Sequence, residues 1–274
     1  MSTLAQPSGR SEALNAGVGI VAIWLLLAAG AGLITPFDPM AQELRQALQP
    51  PSFAHWLGTD DFGRDVMSRL IFSARLDLAL ALLGVVPPFV LGYLIGTLAG
   101  HLSGIFDSLV NRLMEAIASF PLVVLVLAIM AVTGHGIRGF FIAVAIAGWA
   151  RYARIVRSRT RALWGSDFVA AGRALGYSRR RLLLRHILPN TFAPALALAA
   201  SEIATMLLLV CSLGYLGLVA EPPTAEWGAM IAEGQSFLGS AWWISFFPGL
   251  AVILLAFGFH LAARGLRARL GVEG

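Results

Sequence analysis

Three carboxylates fall within six residues in the run Thr59-Asp-Asp-Phe-Gly-Arg-Asp65, and Arg64 stands among them. Hard cations prefer clustered oxygen ligands. This run lacks the EF-hand spacing and supplies its own cation, so no metal is assigned to it. The sequence favours a folded segment in which Arg64 and Arg69 pair with Asp60, Asp61 or Asp65. Another acid, Glu202, lies in an otherwise apolar stretch, where an ionisable side chain is costly and faces protein or water. It either meets a cationic group of a passing solute or pairs with an arginine of the neighbouring loop, and pairing is favoured. Glu226 precedes Trp227 in Pro222-Pro-Thr-Ala-Glu-Trp-Gly228, which reads as a re-entrant or gating element with an interfacial tryptophan.

Other chemistries are closed by residue type. The chain has no lysine; all 20 basic residues are Arg. A Walker A phosphate loop and a Schiff-base nucleophile both need that side chain. The lone Cys211 sits in an apolar run and reads as a small packing residue. His55, His101, His135 and His260 show no ligand spacing on one helix. No nucleophile-and-base set faces another inside the apolar runs, as an intramembrane enzyme would require.

The elements that must position these residues are set by composition. Apolar residues make up 58% and charged residues 13%, against about one-quarter charged in a soluble domain. Mean hydropathy is +0.77. Crossing a hydrocarbon core of about 30 Å takes roughly 20 helical residues. Six stretches qualify, near 16–34, 78–100, 113–133, 137–156, 196–219 and 245–263. The fourth has a short apolar core, Phe140 to Ala150, and Arg151 and Arg154 must snorkel if it continues. The expected fold is an all-α, polytopic membrane protein with six transmembrane helices.

Charge then sets the topology. Ten of the arginines lie between Arg151 and Arg185, against the single acid Asp167. Six spans place Arg10, this loop and Arg264, Arg267 and Arg269 on one side, as the positive-inside rule prefers. The expected organisation is a cytoplasmic tail at 1–15, a first span at 16–34, an extracytoplasmic segment at 35–77, a core at 78–264 with its cytoplasmic loop at 151–190, and a cytoplasmic tail at 265–274. The first span, with Ala29-Gly-Ala31 at its end, has features of a signal peptide, but its long apolar run favours an anchor. The basic excess belongs to the loop, so nucleic acid is excluded as a partner. Gly92, Gly96 and Gly100 repeat on one helix face and predict close helix approach. Pro87-Pro88 and Phe120-Pro121 predict breaks in the second and third spans, the latter either lining a path or shaping the bundle.

Four blocks in order carry a family resemblance: His55-Trp-Leu-Gly-Thr-Asp-Asp-Phe-Gly-Arg-Asp65 with Ser68-Arg69 and Ala74-Arg75; Ser119-Phe-Pro121; Ser166-Asp-Phe-Val-Ala-Ala-Gly-Arg-Ala-Leu-Gly176 with Arg185-His-Ile-Leu-Pro-Asn190; and Gly217 through Gly228. From about His55 to Leu270 the chain resembles an inner-membrane permease subunit of the peptide/nickel class of ABC importers. The resemblance implies a non-enzymatic subunit in the bacterial cytoplasmic membrane, with no cofactor of its own. ATP and Mg would be bound by two separate ATPase subunits. A second homologous permease and an extracytoplasmic solute-binding protein would complete the assembly. It further implies a cytoplasmic coupling helix between the fourth and fifth spans, carried here by Asp167, Ala170, Ala171, Gly172, Arg173, Gly176, Arg179, Arg185 and Pro189. Asp60, Asp61, Arg64, Asp65, Glu226 and Trp227 would serve extracytoplasmic contact or gating, and Phe120, Pro121 and Glu202 the path.

The loop departs from the family's Glu-Ala-Ala-three-residues-Gly pattern. Ala170 replaces the acid, and Gly172 adds a helix-weakening residue worth about 1 kcal/mol relative to Ala. Asp167, one turn earlier, is the available substitute. Peptides are the first-named substrates and nickel the second. An ion-coupled transporter, which would show broken helices with polar midplane ligands, and a membrane scaffold are the rival classes.

Overall fold

The computed structural model describes residues 8–220 and 223–271. Pro222, and the outer ends of the two expected tails at 1–7 and 272–274, lie outside the described residues. Among those described, the chain is helical apart from its connections, with one isolated bridge between Thr59 and Asp65. The helices are α1 (Ser8–Ala29), α2 (Ala31–Ile34), α3 (Val66–Gly84), α4 (Val86–His101), α5 (Ile105–Ala118), α6 (Leu122–Thr133), α7 (Gly136–Trp164), α8 (Asp167–Ala174), α9 (Arg179–Leu182), α10 (Leu188–Tyr215), α11 (Trp227–Gln235) and α12 (Trp243–Arg269). A π-helical turn, Leu183–Ile187, joins α9 to α10.

Among the described residues, five helical stretches are long and apolar enough to cross a membrane, and six if α5 and α6 are one broken span. That pair carries the break expected at Phe120-Pro121, and its first helix begins earlier than the span expected at 113–133. The chain bends by 98° between Ala118 and Leu122, where Pro121 lacks the N–H that would continue the ladder. α6 alone has 12 residues, about 18 Å of helix at about 1.5 Å per residue.

Several helices also overrun their expected bounds. α3 begins at Val66, so residues 66–77 are helix rather than loop. α7 runs to Trp164, which puts Arg151, Arg154, Arg157, Arg159 and Arg161 on a helix and shortens the connection expected at 151–190. The helix containing α10 begins before residue 196, at Leu188. Hydropathy detects the apolar middle of a helix, whereas the backbone continues until a breaker intervenes: Gly165 after α7, and Pro87-Pro88 in the first turn of α4, whose missing N–H groups end α3. Pro189 explains the π turn, because its ring collides with the carbonyl four residues back and it donates no bond there.

The chain divides into two compact units. The first comprises Met1–Leu83, His135–Ile137 and Ile203–Gly265. Its core is drawn from Val66, Leu70, Ala74 and Leu78 on α3, Leu207 and Cys211 on α10, Trp227 and Met230 on α11, and Ile244, Leu255 and Phe259 on α12. The α3 residues recur every fourth position and so form one stripe.

The second unit comprises Gly84–Gly134, Arg138–Glu202 and Leu266–Gly274. Here α4 lies directly on α7. A Cβ added at Gly92 would stand 2.4 Å from the Trp149 carbonyl oxygen, and one at Gly96 would stand 2.5 Å from that of Ala153. Lipid offers helices no hydrophobic reason to associate, so this contact rests on dispersion between closely approaching backbones.

Candidate functional site

The basic connection between α7 and α10 folds into a small structure of its own. Ser166 is the extended N-cap residue of α8, and Asp167, the first helical residue, puts a carboxylate where the helix dipole favours negative charge. Gly176, at φ +80°, ends the helix. The Gly176 N–H bonds to the Arg173 carbonyl at 2.9 Å and the Tyr177 N–H to that of Gly172 at 3.0 Å, which is the Schellman pattern that a left-handed glycine makes possible. α9 follows at once, with the Ser178 hydroxyl accepting from the Arg181 N–H.

One face of α8 is held and the other is open. Val169, Leu182 and Ile187 are buried together, with Leu163, Trp164 and Tyr177 around them. Gly172 belongs to this inner face: a Cβ there would reach within 2.8 Å of a Leu182 methyl carbon. Its place in the helix, which the sequence marks only as a weakening, also sets it against the Leu182 side chain. Asp167, Ala170, Ala171, Arg173, Leu175 and Gly176 are exposed. So are Phe168 (44%) and Leu175 (73%), the largest apolar side chains on that surface. Neither was singled out from the sequence; their spacing from Ala171, three before and four after, places all three on one helix face.

The arginines there are mostly uncommitted. Arg173 donates to the Trp164 carbonyl at 3.1 Å and stacks over its ring, and Arg181 stacks over Tyr177. Arg179 and Arg185 are exposed and form no ion pair with a described residue. Pro189 lies in the first turn of α10. Arg157 and Arg161, by contrast, both bind Asp107 of α5, Arg161 at 2.7 Å. They tie two helices together besides adding to the charge of this end.

Within the same unit, Phe120, Arg151, Arg154 and Glu202 line a cavity of about 500 Å³ together with apolar side chains such as Leu125 and Leu198. Arg151 donates to both Glu202 oxygens, at 2.9 and 3.1 Å. Phe120 and Glu202 therefore share one cavity, whereas Pro121 acts on the backbone as the breaker before α6.

In the first unit, the carboxylates near residue 60 are built into the fold. Asp60 is fully buried and accepts from Arg64 Nε at 2.6 Å and from Arg69 Nη1. Both arginines also reach Glu233 of α11, at 3.0 and 2.7 Å. Asp61 is half-buried, its carboxyl raised by desolvation and by the neighbouring Asp60 charge. Asp60, Asp61 and Glu233 offer oxygens within 4.8 Å of one another, but two guanidinium groups already occupy Asp60 and Glu233. Of the three acids offered to Arg64 and Arg69, the arginines take Asp60 and, from Arg64 at 3.8 Å, Asp61, and Asp65 goes elsewhere. Asp65 bonds His55 Nδ1 at 2.9 Å and the Ser68 N–H at 2.7 Å, because it caps α3 and its side chain turns back along the chain. Glu233 was missed because its partners lie more than 160 residues away in sequence.

Glu226 and Trp227 sit apart from this cluster. Glu226 caps α11, accepting from the Ala229 N–H at 2.7 Å. Burial pushes its carboxyl up to about 7 against the opposing pull of the Ala229 and Gly228 amides. Trp227 is fully buried and donates from its indole to the Leu70 carbonyl at 2.9 Å. It is therefore a core residue, not an interfacial one.

Comparisons with known proteins agree with this architecture. Residues 92–272 match the family described as binding-protein-dependent transport system inner membrane component. The chain is 36% identical over 251 residues to the dipeptide transport system permease protein DppC of Alkalihalophilus pseudofirmus, covering 92% of this chain and 83% of that one. It is 36% identical over 248 residues to the probable D,D-dipeptide transport system permease protein DdpC of Escherichia coli, with 90% and 83% covered. To the glutathione transport system permease protein GsiD of Pectobacterium atrosepticum it is 33% identical over 256 residues, with 93% and 85% covered.

Proposed function

The chain belongs to the binding-protein-dependent transport system inner membrane component family, and from that premise we propose that it is the permease subunit of an ABC importer for short peptides. It is a multi-pass membrane component and not an enzyme. Peptides are favoured over nickel because the relatives above are named for dipeptide, D,D-dipeptide and glutathione transport. The observation that carries the energy-coupling part of the reading is α8, a closed helix with an exposed apolar and alanine-rich face amid free arginines.

In this reading α5 and α6 form one bent span, bringing the count to six. Both termini and the α8–α9 connection lie in the cytoplasm, the side on which the basic residues gather. α8 is the coupling helix. Its Phe168, Ala171 and Leu175 seat in a cleft of an ATPase subunit that binds ATP and Mg, and Arg179 and Arg185 meet acidic groups around that cleft. A second permease, a pair of ATPases and a solute-binding protein complete the importer. ATP-driven closure of the ATPases moves α8 and, through it, α7 and α10. The cavity holding Arg151, Arg154 and Glu202 supplies both charges that a zwitterionic peptide presents.

The test is uptake by proteoliposomes containing this chain with its partner permease, ATPases and binding protein. The proposal expects ATP-dependent accumulation of a labelled dipeptide and none of labelled nickel. Nickel uptake without peptide uptake would overturn the substrate reading, and uptake of either without ATP would overturn the importer reading.

A further inference from the structure

Two acids in the first unit have no cation partner among the described residues. Asp77 on α3 is fully buried; one oxygen, Oδ2, accepts from the Trp227 backbone N–H at 3.1 Å, and Oδ1 has no partner. Glu226, the residue before Trp227, is 1% exposed; Oε1 accepts from the Ala229 N–H, and Oε2 has no partner. Asp77 thus binds the amide that directly follows Glu226, and each acid leaves one buried oxygen without a described partner.

Both acids are buried, and the described residues around them supply no compensating charge. The Glu226 carboxyl is seated on the backbone of α10: a Cβ at Gly214 would come within 1.8 Å of Oε1, and one at Gly228 within 2.1 Å of the Cys211 carbonyl. The nearest titratable side chain on α10 is the buried Cys211 thiol, beside both acids. On α3, Arg69 is committed to Asp60 and Glu233, and Arg75 donates to the Ala28 and Ala29 carbonyls. On α11, Glu233 is held by those arginines, and Gln235 accepts from the Tyr215 hydroxyl of α10. Among the described residues no arginine or histidine forms an ion pair with either acid.

A buried, uncompensated carboxylate carries a penalty of several kcal/mol, and two at one site repel as well. One proton relieves both problems. A protonated carboxyl becomes an O–H donor, and a bare oxygen of the other acid can accept from it. We propose that Asp77 and Glu226 form a proton-binding site that holds one proton between them and so fastens the start of α11 to α3 and α10. The elevated Glu226 carboxyl agrees with this placement. Because the folded value lies above the ordinary 4.5, the proton's contribution to stability is fully present below about 4.5 and is lost as pH rises through about 7.

The test is infrared titration of the full chain in lipid nanodiscs, following the carbonyl stretch of protonated carboxyl groups and its shift in heavy water. The wild type should show such a band at mildly acidic pH and lose it above neutrality. D77N/E226Q should lack it, and E43Q, which removes an exposed acid, should keep it. D77N alone preserves volume and can donate an amide hydrogen to Glu226, so it should fold; the wild-type measurement needs no variant. The melting temperature of the wild type should fall across the same pH range, and that of the double variant should stay level. Absence of the band from the wild type, or its persistence in D77N/E226Q, overturns the proposal. A midpoint that moves with sodium at constant ionic strength also overturns it, by making the occupant a metal cation.

Discussion

The cluster around Asp60 and the connection carrying α8 are the two most charged parts of the molecule, and they treat charge in opposite ways. Around Asp60 the acids and arginines are buried and share partners, with Asp60 accepting from both Arg64 and Arg69. Along α8 and α9 the arginines are exposed, and Arg179 and Arg185 form no ion pair with a described residue. A buried charge must be answered inside the chain, because leaving water is expensive. An exposed charge beside an apolar face can wait for a partner. The first arrangement builds the fold; the second is the form of a docking surface.

The comparison can be broken most forcefully at Arg69. Removing it by Arg69→Leu leaves Asp60 buried with one cation fewer and strips Glu233 of a partner, so the loss should be about 3–5 kcal/mol in denaturation of the detergent-solubilised chain. A loss no larger than that of a surface substitution would show that the cluster does not hold this unit together. Arg157→Gln sharpens the middle of the range. Its partner Asp107 keeps Arg161, and the pair is only partly enclosed, so the cost should be about 1 kcal/mol. The smallest effect is expected at the open surface. Arg179→Ser with Arg185→Ser should move stability by less than about 0.5 kcal/mol, while weakening ATPase association in a salt-dependent manner that co-purification at two ionic strengths would register.

The same comparison explains what the sequence could disclose. The α8 unit is written locally: Asp167 opens the helix and Gly176, a few residues on, closes it. The apolar spans are equally local, since each is a continuous run. Contacts between distant positions are not written that way. Glu233 completes the Asp60 cluster and Asp77 accepts from the Trp227 N–H across 150 residues or more, and no periodicity connects them. Phe120-Pro121 announced a break but not its angle, because proline removes a hydrogen bond without fixing where the chain goes next. The roles of Phe168 and Leu175 needed the helix to be built, for only then does their shared outward face exist.

Seating of α8 in an ATPase is the central claim, and Leu175→Asp tests it most directly. Leu175 is 73% exposed, so the variant should insert and melt as the wild type does, within about 0.5 kcal/mol. Tagged wild-type and variant chains, each expressed with the partner permease and the ATPases, are purified in detergent and the ATPase recovered with each is measured. The account predicts a loss of about tenfold or more, the change expected when a buried apolar contact of roughly 1.4 kcal/mol or more is removed. Recovery of ATPase at the wild-type level would contradict it.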